Sequence, residues 1–347
     1  MLDQIQVDQT YMVHFLEKIL HIPSPTGFCT SVMNEIAEEA AYLGYSFEYM
    51  QNRGGVIEVP GETDGHTIGL TAHVDTLGAM VRSIKDSGML RFTPVGGYTM
   101  NSIEGEYCQI HTRSGRSYTG TILTTHPSVH AYSDARDLKR EELNMEIRLD
   151  EAVTCKGDVE KLGIFPGDFI SFDPRTQAFY NGYIKSRHLD DKASVAILFG
   201  LLEMMKREGV KPVHTLKILI TTYEEVGHGA SFIPQDIAEL IAVDMGVIGD
   251  DLSCTEREVS ICAKDSTGPY DYEMVGRLIE LAQKHSLQYS VDIYPHYGSD
   301  ASAAVSGGNN IRAALVGPGV HASHSMERTH IDGLMNTANL LAAYILE

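Results

Sequence analysis

The chain has 347 residues, with 27 Lys and Arg against 47 Asp and Glu, so its formal net charge is −20. A surface of that sign repels phosphate backbones and anionic lipid, so neither nucleic acid nor membrane is expected as a partner. Hydrophobic residues at 43% and charged residues at 21% exclude a disordered chain, and the length exceeds the roughly 100–200 residues one core serves, so two domains or one large insertion are expected.

The opening segment MLDQIQVDQTYMVHFLEKIL has neither the basic start nor the unbroken apolar run of a signal peptide. Tyr11, Phe15, Ile19 and Leu20 instead form a helical stripe that Pro23 and Pro25 stop. A second helix is expected over 30–43, followed by short strands in FEYMQN and GGVIEV and an apolar strand, TIGLTAHVD, whose end turns polar. From about 80 to 183 the helical pattern nearly vanishes, and β-prone pieces (MVRSI, YCQIHT, SYTGTILTT, DFISFD) alternate with turn residues. After it come a strong helix in DKASVAILFGLLEMMKREG, strands in HTLKILITTY and ELIAVDMG, a helix over 271–285, the strand IRAALVG and a closing helix over 331–346. Strands and helices alternating on both sides of a β-rich block predict an α/β fold: a mixed, mostly parallel, helix-covered sheet in a discontinuous domain, 1–79 and 184–347, interrupted by a small barrel-like insertion, 80–183. Five scattered cysteines, none spaced as CxxC, read as buried free thiols of a cytoplasmic protein.

In open α/β sheets ligands bind beyond the carboxyl ends of the strands, so polar residues that follow apolar runs are informative. His73 and Asp75, Glu224 and Glu225, and Asp244 all stand at such ends. Parallel neighbours would gather the five at one rim, where crowded like charges are costly unless a cation neutralises them. In the HVD pattern one ring nitrogen can bind metal while the carboxylate two residues on holds the other. Of the paired glutamates, one can coordinate and the other face a water as general base. Asp190 and Asp191 open a helix, where one can cap it and the other bridge metals. GVHASHSMERTH supplies three histidines, His321, His324 and His330, among which spacing does not choose a ligand.

TAHVDTLGA, HLDDKAS, TYEEVGHGA, AVDMG and SHSMER, in this order, resemble the dinuclear tetrahedral aminopeptidases, a family that includes glutamyl and deblocking aminopeptidases and relatives described as endoglucanases. The resemblance spans essentially the whole chain and implies a phosphorylase/hydrolase-like fold. It implies that His73, Asp190 and Asp244 hold one divalent ion and Asp190, Glu225 and His324 a second, with Asp190 bridging and His321 as the competing last ligand. Asp75 would orient His73, Glu224 would be the general base acting on a metal-activated water, and the Asp190–Asp191 peptide would be cis. The ions implied are zinc or cobalt, with manganese the further option. The implied reaction removes the first residue of peptides with a free N-terminus, and the implied assembly is a homo-oligomer, as large as a tetrahedral dodecamer, with the insertion building contacts. Two departures stand out: HASHS replaces the usual RYxHS, and Ser194 stands where DDxxG has glycine. A glutamyl-specific pocket would need a buried cation, for which Lys192, Arg187 and Arg328 are nearest along the chain. The rival readings are a glycanase, which normally works with two carboxylates and no metal, and a non-catalytic, metal-stabilised assembly protein.

Overall fold

A computed structural model describes residues 6–347. Helices α1 (Gln9–Leu20) and α2 (Thr30–Leu43) precede strands β1 (Phe47–Tyr49), β2 (Gly55–Val59) and β3 (Thr63–His73). The next six strands are β4 (Gly78–Ile84), β5 (Leu90–Val95), β6 (Tyr107–His111), β7 (Ser117–Thr124), β8 (Met145–Leu149) and β9 (Phe169–Phe172), with helix α3 (Lys156–Leu162) before the last. The remainder is β10 (Gln177–Ala178), β11 (Tyr183–Ser186), α4 (Leu189–Glu208), β12 (His214–Thr221), β13 (Glu239–Val243), β14 (Gly246–Val247), β15 (Val259–Lys264), α5 (Tyr272–Lys284), β16 (Tyr289–Ile293), α6 (Asp300–Ser306), β17 (Arg312–Val320), β18 (Glu327–His330) and α7 (Ile331–Leu346).

The main sheet runs β1-β2-β12-β3-β13-β17-β15-β16, with β14 paired to β17. Its four central strands, β12, β3, β13 and β17, are mutually parallel, while β2 and β15 join antiparallel to β12 and β17. The apolar runs explain this placement, because strands covered on both faces need hydrophobic residues at every position. In β12, Leu216, Ile218 and Ile220 enter one core and Leu219 the other; in β13, Ile241 and Val243 face the first and Leu240 and Ala242 the second. Helix α4 is buried without a break through Leu202, which is why its sequence shows little amphipathic contrast.

Strands β4 to β9 close into a barrel of order β4-β5-β8-β7-β6-β9 around Phe92, Ile110, Ile147 and Ile170. Strands β10 and β11 pair with β18 instead, outside the barrel. The sequence showed no helix in this region, yet α3 lies there; at seven residues it is too short to display periodicity. Helix α6 also escaped the sequence pattern, since its Ser and Ala residues give little contrast, and a reciprocal Ser299–Ser302 capping box nucleates it. Four cysteines are buried, but Cys155 is exposed, which corrects the expectation that all five are buried.

Candidate metal centre

Three parallel strand ends build the site. His73 closes β3 and pairs in register with Thr221, the last residue of β12. Glu224 and Glu225 follow in a single 3-10 turn, and Asp244 follows the end of β13. A side chain at Gly317 of the neighbouring β17 would meet the Asp244 carbonyl oxygen at 1.6 Å, so only glycine lets the strand pass this closely. From the opposite side come Asp190 and Asp191, joined by a cis peptide bond at the start of α4. Both have non-helical backbone angles, His188 before them makes no side-chain cap bond, and Asp191 Oδ2 accepts from the His73 amide at 3.2 Å.

The histidines lie on either side of Asp190. His73 Nε2 is 3.2 Å from Asp190 Oδ1 and His324 Nε2 is 3.3 Å from Asp190 Oδ2. His324 Nε2 also lies 3.6 Å from Glu225 Oε2, and His73 Nε2 lies 3.6 Å from Glu224 Oε2 and 4.0 Å from Asp244 Oδ2. Donor atoms of His73, Asp191 and Asp244 fall within 4.8 Å of one another, as do those of His73, Asp190 and Glu225. His321 is elsewhere: its backbone pairs with Arg328, which leaves the side chain exposed. Left-handed backbone at Ala322 and His324 reverses the chain, and this turn brings the later histidine to the carboxylates. His330 caps α7 by accepting from the Asp332 amide.

The contacts of Asp75 extend beyond the imidazole of His73. The nearest partner of His73 Nδ1 is the Asp75 backbone carbonyl, at 3.0 Å, with the carboxylate at 3.5 Å. That carboxylate accepts from Thr26 Oγ1 at 2.6 Å and from the amides of Glu224 and Glu225 at 3.2 and 3.4 Å. It therefore fixes the glutamate turn relative to β3.

Electrostatics mark the cluster as one that a divalent cation would satisfy. Burial, reinforced by the Asp190 charge, pushes the Asp244 carboxyl up to about 7 and Glu225 well above its ordinary value. Burial also raises Glu224 and Asp191, and Asp244 adds to both shifts. Burial opposes charge on the histidines, but the facing carboxylates win: His73 rises well above its usual value and His324 reaches about 10. Asp190 is held below the usual carboxylate range by His324 and His73 despite its burial. Asp191 Oδ1 and Glu225 Oε1 are buried without a hydrogen-bond partner. Buried polar oxygens are ordinarily paired, so orphaned carboxylate oxygens in a cluster that also holds two imidazoles fit a divalent ion in donor type and charge.

Two functional residues were not assigned from sequence. Glu327, which entered only as part of the SHSMER segment, accepts the amides of Asp190 and His324 through its two oxygens, each at 3.1 Å, and so clamps both sides of the cluster. Asp300 accepts from Thr221 Oγ1 at 2.5 Å and from the Ala230 amide at 2.8 Å, supporting the turn that carries Glu224. A side chain at Gly229 would strike Asp300 Oδ1 at 2.5 Å. Nothing local distinguishes Asp300 from an ordinary first-turn aspartate.

The cluster opens into a cavity of about 710 Å³. None of the three sequence-proposed cations lines it. Lys192 is buried, pushed down to about 7 by desolvation, and donates to the Ile19 and Ile22 carbonyls at 2.8 Å. Arg187 donates to the Ser325 and Ser102 carbonyls and sits beside Glu106, and Arg328 pairs with Glu256 at 2.6 Å.

The family profile described as M42 glutamyl aminopeptidase matches residues 54–340. The chain is 50% identical over 337 residues to "Putative aminopeptidase YhfE" of Bacillus subtilis (strain 168), covering 96% of each protein. Its fold superposes on the aminopeptidase APDkam598 of Desulfurococcus kamchatkensis with a TM-score of 0.88 at 23% identity, covering 98% of this chain and 95% of that one. For the TET1 peptidase of Pyrococcus horikoshii, described as able to assemble into a tetrahedron or a large octahedral shell, the TM-score is 0.85 at 23% identity, with 97% and 99% covered. A profile that spans most of the chain and a relative half identical over nearly its whole length make this protein a peptidase of the M42 glutamyl aminopeptidase family.

Proposed function

We propose that the protein is a dinuclear metallo-aminopeptidase that removes the first residue from peptides with a free N-terminus. The observation that carries this reading is the gathering of His73, Asp190, Glu225, Asp244 and His324, with orphaned carboxylate oxygens, beside a cavity that all of them but His73 line together with Glu224. His73, Asp190 and Asp244 would hold one divalent ion, with the buried Asp191 carboxylate beside them, and Asp190, Glu225 and His324 the other; zinc or cobalt suit these donors, as does manganese. When bound, such ions acidify a water, polarise the scissile carbonyl and offer a position to the free amine of the substrate. Glu224 takes the proton of the attacking water and delivers it to the leaving nitrogen. Its raised affinity for protons suits that role, and Asp75 holds its backbone in place through the Glu224 amide. Asp75 and Glu327 keep the two histidine-bearing segments in register with the acidic ones.

We further propose a homo-oligomer of the kind described for the TET1 peptidase, with the barrel-containing segment, 80–183, as an assembly domain inserted between 1–79 and 184–347. A reducing, cytoplasmic setting fits five cysteines among which the described structure has no disulfide.

The reading is tested with leucine p-nitroanilide and its N-acetyl counterpart, assayed after metal is added back to stripped enzyme. The free amine is expected to be favoured by about ten-thousandfold, since a site built around a polar group rejects substrates lacking it. Equal turnover of the two would remove the exopeptidase assignment. For the last ligand, His324→Ala is expected to lose one metal equivalent per chain while His321→Ala retains both. The reverse pattern in metal analysis would transfer the role.

A further inference from the structure

From the composition of the cavity wall we infer that this peptidase acts on N-terminal residues with neutral side chains and discriminates against the acidic residue in its family's name. The inference rests on the aminopeptidase reading and names the substrate class of that same site. Beyond the metal-centre residues, the wall is formed by the apolar Met245, Val247 and Ala303, by hydroxyl-bearing side chains such as Ser302 and Ser306, and by the exposed imidazole of His296. Among the described residues no lysine or arginine lines it.

A glutamyl side chain entering this cavity would bring a carboxylate out of water. Neutral hydroxyl donors offset that loss only in part, and a paired cation is what restores it. The basic residues nearest along the chain are committed elsewhere: Lys192 to two backbone carbonyls, Arg187 to two further carbonyls beside Glu106, and Arg328 to Glu256. The metals would not supply the missing charge. Their charge would be met by the ligand carboxylates of Asp190, Glu225 and Asp244, with Glu224, Asp191 and the buried Asp300 adjoining them. Apart from the exposed imidazole of His296, a substrate carboxylate thus meets a wall without a basic side chain beyond the metal centre. Aliphatic and hydroxyl side chains lose nothing of this kind and gain contact with Met245, Val247 and Ala303.

The test is a kcat/KM series on the intact, metal-loaded protein with leucyl, methionyl, alanyl, seryl, glutamyl and aspartyl p-nitroanilides. The best neutral substrate is expected to exceed glutamyl by about a hundredfold, the scale at which a mismatched polar group in a pocket is rejected. A glutamyl or aspartyl substrate that equals or exceeds every neutral one overturns the inference while leaving the aminopeptidase reading intact. Failure to hydrolyse any of the six removes both. A second measurement introduces the missing charge at the exposed wall position Ser306 or the half-buried Ala303. In Ser306→Lys and, separately, Ala303→Lys, the glutamyl-to-leucyl ratio of kcat/KM is expected to rise at least about tenfold. An unchanged ratio in both folded variants would show that this wall does not contact the first side chain, and the inference falls.

Discussion

Replacing Glu224 by glutamine is expected to lower kcat about a thousandfold, the usual contribution of a positioned acid–base group, while KM for an aminoacyl p-nitroanilide and metal content stay near their original values. Glutamine keeps the size and polarity of the side chain but cannot accept the proton of the attacking water. The substitution leaves the backbone untouched, and the Glu224 amide still donates to Asp75. It also leaves in place the five proposed ligands, none of which is bonded to the Glu224 carboxylate more closely than the 3.6 Å approach of His73. Burial raises the affinity of Glu224 for protons, and the charges of Asp244, Asp300 and Glu225 add to it, while His73 pulls the other way. A base tuned upward in this way recovers a proton at neutral pH more readily than an ordinary carboxylate. Turnover near normal with both metals bound would remove Glu224 from the role.

Stripping the metals is expected to abolish activity and to lower the melting temperature by about 10 °C, the shift for two ions each of which had been present near a thousand times its dissociation constant in a chain of this size. Metal added back should restore both. The loss should also grow as pH rises. In the metal-free fold the Asp244 carboxyl, raised to about 7 from 3.8, keeps a proton that the unfolded chain releases above about pH 4. A group whose folded pKa is raised stabilises fully below its unfolded value, and that contribution is lost as pH climbs through the folded one. His324, raised to about 10 from 6.5, acts in the same direction across its own window. The metal-free protein should therefore weaken steadily from about pH 5 to 8, whereas bound cations take over the protons' part and flatten the profile. Differential scanning calorimetry of chelated and reloaded protein at several pH values measures both effects. A chelated protein with no metal and an unchanged melting curve would contradict the ligand set.

Most of the sheet was legible because its strands are buried on both faces. ILITTY, LIAVD and IGLTAH are largely apolar runs that end in, or lead directly into, a carboxylate or a histidine, and that switch marks the strand end and the rim where the proposed ligands gather. The first helix was read from its stripe of Tyr11, Phe15, Ile19 and Leu20, and helices were expected over 30–43 and 331–346 as well. Helix α3, helix α6 and strand β16 were not, because short elements carry too few periods to stand out from turn chemistry.

At the site, sequence supplied the residue types and their order: histidine and aspartate after one strand, paired glutamates after the next, aspartate after a third, and a histidine-rich turn near the end. These are local facts, since each side chain's type and its place at a strand end are properties of a few consecutive residues. Which histidine turns inward is a different kind of fact. It depends on left-handed backbone at Ala322 and His324 and on Glu327 receiving the amides of His324 and Asp190, segments 134 residues apart in the chain. The same holds for Asp300, bonded across the sheet to Thr71 and Thr221, and for Lys192, whose proximity in sequence to the acidic pair conceals a side chain directed toward α1. Sequence determined what chemistry the strand ends can perform; only tertiary packing decided which neighbours share a carboxylate and which charges stay out of the cavity, because hydrogen bonds and burial between distant segments leave no pattern along the chain.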